Sequence, residues 1–283
     1  MSLADFAESH GLKRVGARPP FLNYIKETWQ RRGFAWTLSN FANEAQDAHT
    51  RLGSWWVVIQ PTLQAGTYGL IFGFILGNSR PENFLPFLFI GVFFYNYIIS
   101  CFQSGASSIT GNAGLVNSLS FPRLLMPISV AIRKTINLWP PLIILLVLLP
   151  LRGCWPTLNW LLMIPVLAMM VMFSFGLTMI AARLNAQFRD LNNLIPFISR
   201  IGFYLSGVFF KLDAALASFP EQVQFVIRMN PFYDFIQLSR NLTIPGYTAH
   251  MTELWVMCAV WAVITPIFGT FYFWKAEERY GRD

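Results

Sequence analysis

Not one residue from Leu52 to Ser79 carries a charge, and the same holds from Asn83 to Pro122. A helix needs about 20 apolar residues to cross the roughly 30 Å hydrocarbon core of a bilayer. Uncharged runs of that length predict spans near Trp55–Gly77 and Phe84–Phe102. Further apolar runs predict Thr135–Leu151, Leu158–Ala182, Leu191–Phe210 and Leu254–Trp274, the fifth interrupted by Arg200. The fold class expected is therefore an all-α polytopic membrane protein with six transmembrane helices. Residues 1–51 precede the spans, 52–274 hold them, and 275–283 form a short tail.

Composition agrees. Charged residues make up 12% of the 283, about half the share of a soluble domain, and 54% are hydrophobic. The net charge of +7 is explained by placement: an inside N-terminus puts 16 of the 21 Lys and Arg on cytoplasmic segments. That bias predicts a plasma-membrane protein with both termini in the cytoplasm, and it requires no nucleic acid. Cys101, Cys154 and Cys258 lie far apart and read as isolated apolar thiols. Nothing in the first 51 residues reads as a cleavable leader.

Two polar segments break the pattern. Residues 21–52 follow Pro19-Pro20 and interleave Trp29, Phe34, Trp36, Leu38 and Phe41 with Lys26, Arg31 and Arg32. That mixture predicts an amphipathic helix in the cytoplasmic headgroup layer; a soluble cytoplasmic helix is the other reading. Residues 211–253 are too long for a turn and carry Phe219, Phe225, Phe232, Tyr233 and Phe235 broken by Pro220, Pro231 and Pro245. Short helices dipping back into the outer leaflet account for them.

Catalytic signatures are missing. The sequence has no phosphate-binding loop of the form G-x-x-x-x-G-K-[ST], no HExxH and no GxSxG. His10, His49 and His250 fall in three different segments, and the pairs Glu44/Asp47 and Glu277-Glu278 read as solvated helix faces. No metal and no cofactor is expected on this chain. Aromatic pairs recur at helical spacing in the spans: Tyr68 with Phe72, Phe93 with Tyr97, and Phe197 with Tyr204. They read either as packing or lipid-facing residues, or as faces that stack on sugar rings along a conduit. Arg200 is either a functional group within span five or a side chain reaching back to the headgroups. The connector between the second and third spans carries Pro122 and Pro127. It suits an interfacial turn or a rigid elbow for a soluble motor.

Four motifs, in order along the chain, carry a family resemblance. Arg51-Leu52-Gly53-Ser54-Trp55-Trp56 through Gln60-Pro61 resembles the entry to span one of ABC-2 type exporter permeases for polysaccharides, O-antigen and teichoic acids. Phe121-Pro122-Arg123 followed by Pro127 is similar to that family's connector. Arg189-Asp190 followed by Phe203-Tyr204-Leu205-Ser206 resembles its stretch around span five, and Asn230-Pro231-Phe232 with Arg240 resembles the segment before its last span. Gly207 stands where the family has Pro, and Ala48-His49-Thr50-Arg51 replaces its basic run. The first 35 residues resemble the longer N-terminal regions of actinobacterial members that export a lipid-linked cell-wall galactan.

The resemblance implies a six-span permease with re-entrant helices between spans five and six, two copies of which pair around a central pathway. Each copy would dock a separate ATPase subunit that holds the ATP and Mg. Residues Gly114–Met126 would form the coupling helix, with Phe121, Pro122, Arg123, Leu124 and Leu125 at the contact. The cargo would be a polymer on a polyprenyl diphosphate, and Arg51, Arg123 and Arg200 would steer the diphosphate at the cytoplasmic entrance. Rival readings are an ABC-2 permease for a small drug or lipid, a transferase acting on polyprenyl phosphates, and a secondary transporter. The last two want clustered or intramembrane carboxylates, which the predicted span cores lack.

Overall fold

The computed structural model describes residues 18–48, 51–76, 83–188, 190–210, 220–247 and 250–280, and every element among them is helical. In chain order these are α1 (Phe21–Gln30), α2 (Arg32–Ala48), α3 (Trp56–Leu76), α4 (Phe84–Thr110), α5 (Ala113–Ser118) and α6 (Leu125–Ile136). They continue with α7 (Trp139–Leu151), α8 (Met163–Gln187), α9 (Leu191–Leu205), α10 (Glu221–Arg228), α11 (Pro231–Thr243) and α12 (Met251–Trp274).

Among the described residues, four stretches are both long and apolar enough to cross a membrane: Phe84–Thr110, Leu125–Leu151, Leu158–Gln187 and Met251–Trp274. The other two expected spans differ for identifiable reasons. Helix α3 has 21 residues, but Gln60, Thr62, Gln64, Thr67 and Tyr68 dilute its apolar surface. Helix α9 has only 15 residues and stops at Leu205. Gly207 takes a left-handed φ of +62°, a conformation natural to glycine that ends a helix. The residue that departs from the family pattern is thus at the early end of this helix. Gly77 and residues 211–219, which belong to the expected first span and exterior segment, lie outside the described residues.

Helix α4 is the axis of the molecule. Of its most apolar 18 residues 83% are buried, against 22% of those in Leu125–Leu151 and 28% of those in α12. Lipid is as apolar as leucine, so helices associate where small residues let backbones approach. Gly105 on α4 meets Thr178 on α8, where an added Cβ would lie 2.7 Å from the threonine carbonyl oxygen. Gly176 on α8 faces Thr265 and Pro266 on α12 in the same way. The outer helices leave Phe74, Ile75, Leu146, Ile164 and Ile267 exposed, side chains suited to hydrocarbon.

The N-terminal pair is two-sided. Tyr24, Thr28, Ala35 and Ser39 are buried, whereas Leu22, Trp29, Trp36 and Phe41 are exposed. Phe34 and Leu38 of the same apolar set turn inward: Phe34 packs on Phe121 at 5.0 Å between ring centroids, and Leu38 joins the cluster around Tyr24.

Helix α11 is short, polar and enclosed, with Asp234, Gln237, Ser239, Arg240 and Asn241 all buried. Asn230 starts it by accepting from the Phe232 amide at 3.1 Å, while its own amide donates to the Leu205 carbonyl at 3.3 Å. Pro231 follows at a position where a missing N–H costs nothing. Asn230→Ala is expected to cost about 1 kcal/mol, read as a drop in melting temperature of the detergent-solubilised protein.

Candidate functional site

A cleft of about 530 Å³ opens between α3, α4, α9 and the junction of α6 with α7. Each helix contributes one stripe. Gln60, Gln64 and Tyr68 recur every four residues along α3, and Phe93, Tyr97 and Ser100 follow the same face of α4, which is the 3.6-residue period of a helix. Helix α9 adds Ser199, Arg200, Phe203 and Tyr204, and Lys134 closes the side formed by α6.

The polar groups are held in pairs. The Asn96 amide donates to Gln64 Oε1 at 2.8 Å, and the Gln103 amide donates to Ser199 Oγ at 2.9 Å. Tyr95 donates its hydroxyl to the Ser199 carbonyl, and Tyr97 lies 3.2 Å from the Thr135 hydroxyl. Lys134 and Arg200 are the cations among the described lining residues, which include no carboxylate. Such a cleft offers aromatic faces, amide and hydroxyl donors and acceptors, and a positive field.

The expected pathway residues divide. Tyr68, Phe93, Tyr97 and Tyr204 line the cleft. Phe72 stands behind it, stacked on Phe209 at 4.3 Å, and Phe197 is 64% exposed and outside the lining. Phe209, unremarked in the sequence, is the hub of the aromatic wall, with Tyr68 at 4.8 Å and Phe203 at 5.0 Å. Lys134 and the amides Gln60, Gln64, Asn96 and Gln103 were also missed. The signal for the amides is a stripe at helical spacing inside helices otherwise apolar, which a search for charged or aromatic residues passes over.

Of the three expected diphosphate-steering arginines, only Arg200 reaches the cleft. Arg51 is exposed at the turn before α3 and is not among the lining residues. Arg123 is engaged elsewhere: its backbone amide donates to Glu277 Oε1 at 3.0 Å, and its Nη1 donates to the Glu277 carbonyl. Arg189 lies outside the described residues.

The connector is not one helix over Gly114–Met126. Helix α5 ends at Ser118, Leu119 is extended, and α6 begins at Leu125. Pro122 disfavours helical backbone at Phe121 before it, so Phe121–Leu124 forms a bend. Glu277, expected on a solvated face, is only 6% exposed. Tyr24 donates its hydroxyl to Glu277 Oε2 at 2.6 Å and accepts the Leu124 amide at 3.1 Å. Burial pushes the Glu277 carboxyl and the Tyr24 hydroxyl up from their ordinary values.

Helices long and apolar enough to cross a membrane thus line a polar, aromatic-walled cleft. Residues 40–243 match the family profile of the ABC-2 type transporter. The chain belongs to that family. It is 29% identical over 192 residues to the O-antigen export system permease protein RfbA of Myxococcus xanthus, covering 68% of this chain and 74% of that protein. A Klebsiella pneumoniae protein of the same name is 27% identical over 229 residues, covering 81% of this chain and 86% of its own. The polysialic acid transport protein KpsM of Escherichia coli is 23% identical over 230 residues, with coverages of 81% and 87%.

Proposed function

We propose that this chain is the permease subunit of an ATP-driven exporter that moves a polyprenyl-diphosphate-linked polysaccharide across the plasma membrane, with both termini on the cytoplasmic side. The observation that carries the reading is the cleft, with its aromatic wall, paired amides, two cations and no carboxylate among the described lining residues. Aromatic faces take the CH faces of sugar rings, amides exchange hydrogen bonds with hydroxyls, and Lys134 with Arg200 favours the diphosphate end. The weak, register-tolerant character of stacking suits a polymer that slides. The names of the similar O-antigen and polysialic acid proteins support the same cargo class, and a cell-wall galactan is the particular cargo favoured by the N-terminal resemblance.

In this reading α3 and α9 complete six crossings, α10 and α11 re-enter the outer leaflet, and α1–α2 lies in the inner headgroup layer on its exposed tryptophans. Two copies pair with their clefts toward a shared pathway, and each binds a separate ATPase at Phe121, Pro122, Arg123, Leu124 and Leu125. That partner supplies ATP hydrolysis and holds the Mg.

Co-purification tests the assembly. Tagged chain expressed with candidate ATPases is expected to retain one in equal amount, and scrambling Phe121–Leu125 in a still-folded protein is expected to release it. A chain that exports with no ATPase bound contradicts the reading. Replacing Lys134 and Arg200 by glutamine is expected to lower glycan-stimulated ATP hydrolysis about tenfold, the lower range of electrostatic focusing in clefts. Unchanged stimulation removes the cations from the mechanism.

A further inference from the structure

We propose that Glu277 and Tyr24 are positioning residues for energy coupling: they clasp the connector to both α1 and the end of α12, so that a push on the connector moves all three together. The proposal rests on the reading of Phe121–Leu125 as the ATPase-docking segment.

Three segments far apart in sequence meet at one carboxylate. Glu277 lies in the turn after α12, Tyr24 in α1, and Arg123 and Leu124 in the connector. Oxygen Oε2 of Glu277 accepts the Tyr24 hydroxyl at 2.6 Å, and Oε1 accepts the Arg123 amide at 3.0 Å. The ring of contacts closes because the same tyrosine oxygen accepts from the Leu124 amide at 3.1 Å, and Arg123 returns a side-chain bond to the Glu277 carbonyl. Tyr24 is 1% exposed and Leu124 2%, so water does not compete for these bonds.

Neighbouring contacts stiffen the joint on both sides. Arg31 donates to the Ser120 carbonyl at 3.0 Å and Phe34 packs on Phe121, tying α1–α2 to the connector a second time. Tyr280 stacks on Phe273 at 4.6 Å and donates to its carbonyl, and the Trp274 indole donates to the Pro19 carbonyl at 2.9 Å. An elbow free to swivel would dissipate a push. A buried hydrogen-bonded carboxylate with directional partners on two other segments transmits it, because moving one segment alone would leave buried donors and acceptors unpaired.

Such a joint has consequences that simple packing lacks. Glu277→Gln leaves one acceptor oxygen for two donors and turns an N–H₂ toward one of them. Tyr24→Phe keeps the ring in the cluster and removes both the donor to Glu277 and the acceptor for Leu124. Both variants keep the surrounding apolar contacts, so assembly is expected to survive.

The test uses the full permease–ATPase complex reconstituted in vesicles, with ATP hydrolysis and glycan export measured together. Both variants are expected to bind ATPase in wild-type amount and hydrolyse ATP within about twofold of wild type, while glycan exported per ATP falls about tenfold. Glu44→Gln, on the exposed face of α2, is expected to leave that ratio alone. Wild-type export per ATP in both variants overturns the proposal, as does a loss of assembly that accounts for the whole loss of export. If the wild-type chain binds no ATPase, the functional reading falls and the clasp with it. An active wild-type complex whose variants stay fully coupled sinks the clasp alone.

Discussion

Arg240→Met is expected to leave little folded protein in the membrane. The Arg240 guanidinium is 1% exposed and makes bonds to three backbone carbonyls. Its Nε and Nη2 donate to Phe87 at 3.1 and 2.9 Å, Nη1 to Gly207 at 2.8 Å, and Nη2 also to Val208 at 2.9 Å. Gly207 and Val208 lie where α9 has already ended, in irregular buried backbone that has no helical partner for these oxygens. The guanidinium also lies over the Phe87 ring at 3.3 Å, and Gly91 leaves it space: a Cβ there would come within 2.5 Å of Nη2.

Methionine matches much of the arginine's bulk but supplies no donor, so the Gly207 and Val208 carbonyls are stranded and the Phe87 carbonyl, inside α4, loses its two added bonds. Leaving a buried acceptor without a donor costs about 1–3 kcal/mol for each group, and two together take a large part of the roughly 5–15 kcal/mol that typically holds a domain folded. Arg240→Lys is expected to recover only part, since one ammonium cannot fork to carbonyls on two separate segments. Thermal melting followed by size-exclusion chromatography reads the effect. A monodisperse Arg240→Met protein melting within a degree or two of wild type contradicts this account of the α11 arginine.

The second large effect is expected at Gly176. Helices α8 and α12 cross there so closely that an added Cβ would lie 2.3 Å from the Thr265 carbonyl carbon and 2.4 Å from the Pro266 nitrogen. Those atoms are backbone and cannot rotate aside. Gly176→Ala therefore has to separate the two helices, at an overpacking cost of about 1–3 kcal/mol, and Gly176→Val is expected to be worse. Gly269 is the reciprocal side of the crossing, its added Cβ 2.6 Å from the Gly176 oxygen. Gly73 on α3 is the internal control, with nothing within 4 Å of its Cβ position. Gly73→Ala is expected to hold or raise the melting temperature, because alanine is the better helix former by about 1 kcal/mol. Equal behaviour of the two variants contradicts a crossing set by glycine.

These two sites show what a linear reading of this sequence reaches. Arg240 and Asn230 form a motif visible in the sequence, but their role depends on carbonyls of Phe87, Leu205, Gly207 and Val208 contributed by other segments of the chain. Long uncharged runs made Phe84–Thr110 and Met251–Trp274 legible, because hydropathy over 20 residues is a local property. The limits of α9 were less so: an apolar run continues through Phe210, and the end is set by the conformation of one glycine at 207.

Charge near a membrane edge was the least legible feature. Glu277 follows a span in a run of charged residues, a setting that predicts a solvated face, yet its partners lie 253 and 154 positions away. Only the folded chain brings them together. For the cleft, tyrosines and Arg200 were accessible as conspicuous residue types, whereas Gln64, Asn96 and Gln103 matter through their pairing across helices.

The central claim is that this chain, powered by a partner, conducts a diphosphate-anchored glycan. The most direct measurement loads sealed vesicles containing the permease and its co-purified ATPase with fluorescently labelled polyprenyl-diphosphate glycan and adds MgATP on the ATPase side. The account predicts appearance of the glycan on the opposite face that requires hydrolysable ATP and is abolished by scrambling Phe121–Leu125. ATP hydrolysis by an intact complex with no glycan crossing, or crossing at the same rate without ATP, would contradict it.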